Sequence, residues 1–224
     1  MKKLKLRWMA ALAALTLSGG AWAAVVGELE GVPVEDSATV AGTKLVLNGA
    51  AVRKRGYFKT DVTALYLPAH RKTLDGVYKI PGPKRIQLSV LRDLSGSIIA
   101  RYFLSDFKLV TTDEEFKSLI TEVGQIGDLY GRLGKVNKGD VVTVDWVPGK
   151  GIRTELNGKA LMTSGGTSEY MNSPLMYEIL LRMYIGERAT SDYRNGLLGL
   201  ENHFSNTALA SESNKVEPKT ESRR

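Results

Sequence analysis

The sequence predicts an α+β fold, one antiparallel sheet with helices packed over one of its faces. Three observations carry this. Residues 43–91 alternate apolar and polar side chains between turn residues; residues 95–133 change to helical spacing; and residues 139–163 return to alternation before a last amphipathic helix from Ser173. With 224 residues, 43% apolar and 25% charged, the chain has room for one or two domains and can bury a core without covalent staples.

Taken in order, Gly27 to Gly42 is mixed in character and begins with extended chain. Thr43 to Leu47 alternates with Leu45 and Leu47 on one face, and Asn48-Gly49 is a hairpin-turn signal. Tyr57 to Leu67 is aromatic and β-branched and reads as a strand stopped by Pro68, and Pro81-Gly82-Pro83 is a turn. In Arg85 to Leu91, Ile86, Leu88 and Val90 face one way. Up to this point the chain reads as β throughout. Ser95 then caps a helix bearing Ile98, Ile99, Tyr102 and Phe103, and Thr112 with Glu115 forms a capping box. The next helix runs through Phe116, Leu119, Ile120, Val123, Tyr130 and Leu133. Gly124, Gly127, Gly131 and Gly134 lie within it, each about 1 kcal/mol worse than alanine, so a bend or break is expected there. Val142, Val144 and Trp146 begin a three-stranded meander that turns at Pro148-Gly149-Lys150-Gly151 and at Asn157-Gly158. Ser173 with Pro174 opens a helix whose apolar face is Leu175, Met176, Ile179, Leu180 and Met183, with Gly186 as its C′ residue. A short helix follows around Tyr193 to Leu198. No internal repeat is visible.

The chain begins as an exported protein would. Lys2, Lys3, Lys5 and Arg7 precede an apolar run from Trp8 to Leu17, and Ala21-Trp22-Ala23 is a signal-peptidase pattern. The run is too short to span a bilayer. Residues 1–23 therefore read as a signal peptide, 24–204 as one domain and 205–224 as a disordered polar tail. A bacterial periplasm is the expected compartment, with secretion as the alternative, and no transmembrane segment is expected after cleavage. The formal charge of +7 loses its force on this reading. Removing residues 1–23 takes four basic residues and no acidic one, leaving 27 against 24, a net +3. That is no electrostatic footprint for nucleic acid.

Composition narrows the chemistry further. Cysteine is absent, which excludes disulfides, thiolate metal sites and a cysteine nucleophile. Two histidines, His70 and His203, do not make a multi-histidine metal site, and His70 just past a strand reads as a surface residue. Gly149-Lys150-Gly151 lies between strands, so it is a turn and not a nucleotide loop. No cofactor or metal is expected. Arg53 and Arg55 sit between two β segments of the core sheet. A permanently charged planar guanidinium there suits a carboxylate, phenolate or enolate if it lines a cleft, and is a hairpin-rim residue if it does not.

The run Leu47-Asn48-Gly49-Ala50-Ala51-Val52-Arg53, with Phe58-Lys59 and Ala64-Leu65-Tyr66-Leu67, resembles the chalcone isomerase-like superfamily, most closely its bacterial exported branch. Supporting matches follow in order: Pro81 to Ile86, Arg92-Asp93-Leu94-Ser95, Lys138-Gly139-Asp140, Leu156-Asn157-Gly158-Lys159, Tyr184-Ile185-Gly186-Glu187 and Gly196-Leu197-Leu198-Gly199. The resemblance implies an open-faced β-sandwich with a ligand cleft between sheet and helices. It also implies three classes of relative: plant enzymes that close a chalcone to a flavanone, plastid fatty-acid-binding proteins, and bacterial or fungal relatives of undefined role. The enzymes' anion-holding arginine falls on Arg53. Their threonine falls near Asp61, their helix tyrosine near Ile99 with Tyr102 one turn away, their asparagine near Asp106, and their last-helix threonine or serine near Leu175. Only the arginine is kept, which weighs against flavanone chemistry. The expectation is a non-catalytic binder of a small amphipathic anion such as a fatty acid, with Arg53 at the polar end of the cleft. The alternatives are an isomerase of the chalcone type and a protein-interaction module whose cleft has closed.

Overall fold

The computed structural model describes residues 23–163 and 168–205. The expected signal peptide, 1–23, and the expected polar tail, 205–224, fall outside these residues save for Ala23 and Ser205.

A seven-stranded antiparallel sheet forms the body of the protein. Its strands are β3 (Ser37–Val40), β4 (Thr43–Arg55), β5 (Phe58–Leu67), β6 (Lys84–Val90), β9 (Val141–Val147), β10 (Gly151–Leu156) and β11 (Lys159–Ala160), in the order β11-β10-β9-β6-β5-β4-β3. Strand β5 runs near the middle, and all eight of residues 60–67 are buried, which requires cover on both faces. On one face Leu65 and Leu67 join Ile86, Val144 and Ile152 beneath the helices. On the other, Val62, Ala64 and Tyr66 pack with Leu29 and Val34 of a two-stranded hairpin, β1 (Val25–Leu29) and β2 (Val32–Glu35). The helical layer consists of α2 (Gly96–Val110), α3 (Asp113–Ser118), α4 (Ile120–Arg132), α5 (Pro174–Ile185) and α6 (Ser191–Leu197). A small ribbon of β7 (Leu94–Ser95) and β8 (Lys135–Val136) ties the start of α2 to the end of α4. The α+β reading, with helices on one face of a large antiparallel sheet, is the architecture observed.

Local signals produced the helix starts. The Ser95 hydroxyl accepts from the Ile98 amide, Thr112 and Glu115 close a reciprocal capping box, and Ser173 accepts from Met176 with Pro174 in the first turn. Three local expectations fail and a fourth holds for a different reason, each with a nearby cause. Asn48-Gly49 is not a turn. Strand β4 runs through it with a bulge, and the buried Asn48 donates to the Leu197 carbonyl (2.8 Å) and accepts from the Arg71 amide (2.7 Å). Gly49 is needed because a Cβ there would lie 2.1 Å from the Gly196 carbonyl oxygen, where α6 crosses the strand. The β-only reading before Ser95 misses α1 (Leu74–Lys79), a single turn or so capped by Thr73, with Val77 as its one buried side chain. Gly124, Gly127 and Gly131 do not interrupt α4. The break lies earlier, at Leu119 (φ −107°, ψ 14°), whose side chain is buried in the core. Packing against α2, including the Phe103–Tyr130 edge contact at 5.8 Å, holds α4 despite its glycines. Gly186 does end α5, but with extended backbone (φ −80°, ψ 177°). Its lack of a side chain serves close approach, since a Cβ would meet the Arg182 carbonyl at 2.4 Å.

Candidate functional site

Between the sheet and helices α2, α4 and α5 lies a cavity with about 1190 Å³ of empty space, its open mouth included. The walls are mostly apolar: Leu88 and Val144 from the sheet, Phe103 from α2, Leu129 from α4, and Leu180 and Met183 from α5. The charged groups gather where β4 and β5 meet the helices.

Arg53 stands at the centre of that end. It lies directly across from Asp61 in the β4–β5 register, so both side chains point to the helical face. Its Nε donates to Asp61 at 2.8 Å. Asp61 also accepts from the Thr60 hydroxyl (2.9 Å) and the Thr63 hydroxyl (2.7 Å), and Tyr193 of α6 donates to Thr63 (2.8 Å). This chain holds the carboxylate, and the carboxylate holds the guanidinium edge. Burial disfavours the charge on Arg53, but the Asp61 carboxylate outweighs it and keeps the arginine's pKa well above its ordinary value. The guanidinium carbon sits 5.2 Å from the centre of the Tyr184 ring.

What Arg53 does not spend on the protein matters most. Among the described residues no acidic side chain pairs with its two Nη groups, which have only the Tyr184 phenol beside them, and the side chain keeps 24% of its exposure. The Tyr130 hydroxyl, which lines the cavity, is without a partner and unsealed, and the Tyr184 hydroxyl, also lining it, lies against the Arg53 guanidinium. Tyr177 differs, its hydroxyl being buried and unbonded. Burial raises the pKa of Tyr130 and of Tyr184, with the Arg53 charge opposing, so both keep their protons and remain donors.

Of the residues singled out from sequence, Arg53, Asp61, Ile99, Tyr102 and Asp106 all line the cavity. Their parts differ. Asp61 serves Arg53 rather than the lumen. Tyr102 lies under Arg55, whose guanidinium carbon is 5.1 Å from the ring centre, and Arg55 in turn forms a two-pronged ion pair with Asp106. Tyr102 is therefore engaged away from Arg53. Leu175 does not line the cavity. It packs half-buried against the core, and α5 presents Leu180, Met183 and Tyr184 to the lumen instead. Sequence reasoning gave no role to Tyr130 and Tyr184. The one signal for them was a phenol on an otherwise apolar helix face. Among the described residues no cluster of acidic or histidine side chains is arranged to hold a metal, and no helix is long and apolar enough to cross a membrane.

The profile of the chalcone isomerase-like family matches residues 26–199, almost the whole described domain. The chain belongs to that family. Its fold is also that of a fatty-acid binding protein of Arabidopsis thaliana, with a TM-score of 0.61 at 14% identity, covering 78% of this chain and 96% of the plant protein. At that identity the likeness speaks for the fold alone. No curated protein matches the sequence. Within the chalcone isomerase-like fold, the cavity occupies the space between the large sheet and its helical cover.

Proposed function

We propose that this chalcone isomerase-like protein is a non-catalytic binder of a small amphipathic carboxylate, a fatty acid or a close chemical relative. The observation that supports it best is the pairing of an apolar cavity with a fixed arginine whose Nη edge has no acidic partner there. Asp61 occupies Nε only, so the end of the guanidinium fork can take a carboxylate in two parallel bonds. The phenols of Tyr130 and Tyr184 supply further neutral donors, and the apolar walls suit an alkyl chain. The open cavity speaks against a cleft that has closed around a core. The name of the plant neighbour, a fatty-acid binding protein, points the same way. By the same proposal the protein works in the bacterial periplasm after loss of residues 1–23, on the strength of the basic, apolar and Ala-Trp-Ala pattern of its first residues.

The test is mass spectrometry of protein purified from a bacterial host, native against denatured, for the wild type and for Arg53→Met/Asp61→Asn. A co-purified carboxylate in the wild type that is lost from the folded double variant is the expected result. A wild type that neither carries nor takes up a long-chain carboxylate refutes the proposal.

A further inference from the structure

The β4–β5 hairpin ends in a feature that neither the core nor the cavity uses. Its loop is Gly56-Tyr57, closed by the Arg55–Phe58 pair. Gly56 takes a positive φ of 57° and Tyr57 does not, the glycine-first arrangement of a type II′ hairpin. Such a turn asks for no aromatic ring at its second position. Yet Tyr57 stands 103% exposed and Phe58 58% exposed, side by side at the tip. Cations surround them. Arg92 lies over the Phe58 ring, its guanidinium carbon 4.1 Å from the centre, and exposed Lys54 and Lys59 flank the loop. Two acids answer: Glu30 pairs with Lys59 at 2.7 Å, and Asp106 pairs with Arg55. Lys54 and Arg92 have no ion-pair partner among the described residues, so the tip carries two uncompensated positive charges.

We propose that this tip docks the protein on an anionic lipid surface. Tyr57 and Phe58 enter the headgroup layer while Lys54 and Arg92 meet the lipid phosphates. Aromatic rings, tyrosine above all, settle at that depth because one part of the side chain is apolar and the other wet. Basic residues near an anionic leaflet add attraction that salt screens. The shape favours lipid over a protein partner: two rings on a projecting turn insert into a soft layer, but they offer little of the roughly 1,000 Å² that a specific protein interface needs. The tip is also joined to the cavity wall. Arg55, at its base, holds Asp106 and stacks on Tyr102, and all three line the cavity. Docking would bring that wall against the phase in which an amphipathic carboxylate dissolves. This last consequence rests on the proposed function, whereas the docking does not.

The chain has no cysteine, so Tyr57→Cys creates a single labelling site. The full-length protein is labelled there with an environment-sensitive fluorophore. A control carries the label at Lys159→Cys, an exposed position in the edge strand β11 at the far side of the sheet. Each is mixed with vesicles of phosphatidylcholine and phosphatidylglycerol in equal parts, or of phosphatidylcholine alone. The expected result is a blue shift and quenching by nitroxide lipid for the label at 57, on anionic vesicles only, and neither for the label at 159. In the labelled Tyr57→Cys background, Lys54→Ala and Arg92→Ala each lower vesicle affinity about five-fold, and added salt weakens it further. The proposal is overturned if the label at 57 stays in water, whether or not the protein sediments with vesicles. Equal insertion into pure phosphatidylcholine, or unchanged affinity in both charge variants, overturns it as well. Arg53→Met/Asp61→Asn, which is expected to lose the carboxylate, keeps its vesicle binding. The two proposals therefore fail separately.

Discussion

Replacing Arg53 with methionine tests two claims at once, because the arginine both neutralises Asp61 and presents its Nη edge to the cavity. The side chain of Asp61 is 5% exposed. In Arg53→Met it keeps the Thr60 and Thr63 hydroxyls but loses the cation 2.8 Å away. Removing one partner of a buried ion pair costs about 3–5 kcal/mol. The pair borders a cavity and the carboxylate retains two donors, so the lower end, about 3 kcal/mol, is the appropriate figure. For a domain of this size each kcal/mol moves Tm by about 2–4 °C, which gives a fall of roughly 6–12 °C. Adding Asp61→Asn removes the stranded charge, and most of the lost stability should return. Binding behaves differently, since both variants lack the guanidinium. Losing a hydrogen bond to a charged group costs about 1.5–3 kcal/mol, so affinity for a long-chain carboxylate should fall about 10- to 150-fold in each. Scanning calorimetry reads the first effect, and displacement of a fluorescent fatty acid reads the second. A double variant that melts as low as the single one refutes the buried-pair argument. A double variant that binds the carboxylate as tightly as the wild type refutes the placing of the polar end at Arg53.

Tyr130→Phe and Tyr184→Phe should each weaken carboxylate binding by at least about 10-fold, the worth of one hydrogen bond to a charged acceptor, with melting temperature nearly unchanged; isothermal titration and scanning calorimetry check the two. Lys84 is 4% exposed and makes only a 3.5 Å contact with the Gly82 carbonyl, and burial pushes its pKa down to about 8. Between pH 8 and its ordinary value the unfolded chain holds the proton more tightly than the folded one, so wild-type stability from this group rises with pH. Lys84→Met should thus be more stable than the wild type at pH 7, by about 1–2 kcal/mol after allowing for solvent screening, with the gap closing by pH 10. Denaturant midpoints at the two pH values check the sign, and a gap that widens would be wrong. Gly49→Ala drives a methyl group into the α6 backbone at Gly196, and should destabilise by at least about 2 kcal/mol and raise amide exchange in α6 before the rest of the sheet.

How much of this could be read beforehand depends on the range of the interaction. Ser95, Thr112 with Glu115, Ser173 with Pro174 and Asn157-Gly158 announced their elements because each makes its decisive hydrogen bond within about a turn of itself. Asn48-Gly49 carries the same local chemistry as Asn157-Gly158 but runs through a strand. Its side chain and its missing Cβ answer to α6, a partner 149 residues away in the Asn48–Leu197 bond. The short helix α1 escaped because one buried valine makes no period. The glycines of α4 pointed to a break that packing overruled.

The candidate site divides along the same line. Arg53 was visible as a permanent cation between two strands, and its resemblance to the family's arginine named it; Asp61 came from the position of the family's threonine, and the β4–β5 register places it opposite Arg53. Leu175, and Tyr102 as a stand-in for the family's helix tyrosine, came from the resemblance carried onto the helices; Leu175 lies outside the cavity and Tyr102 lies under Arg55. Side-chain types and local capping therefore settled the class of fold, the starts of α2, α3 and α5 and the presence of a charged group in the sheet. Tertiary packing alone decided that Asp61 takes only the Nε of Arg53 while Tyr130 and Tyr184, from two different helices, bring their hydroxyls to the same end of the cavity. A cavity is a gap between elements that never meet in sequence. Its shape comes from how those elements pack, and no period or motif within any one of them encodes it.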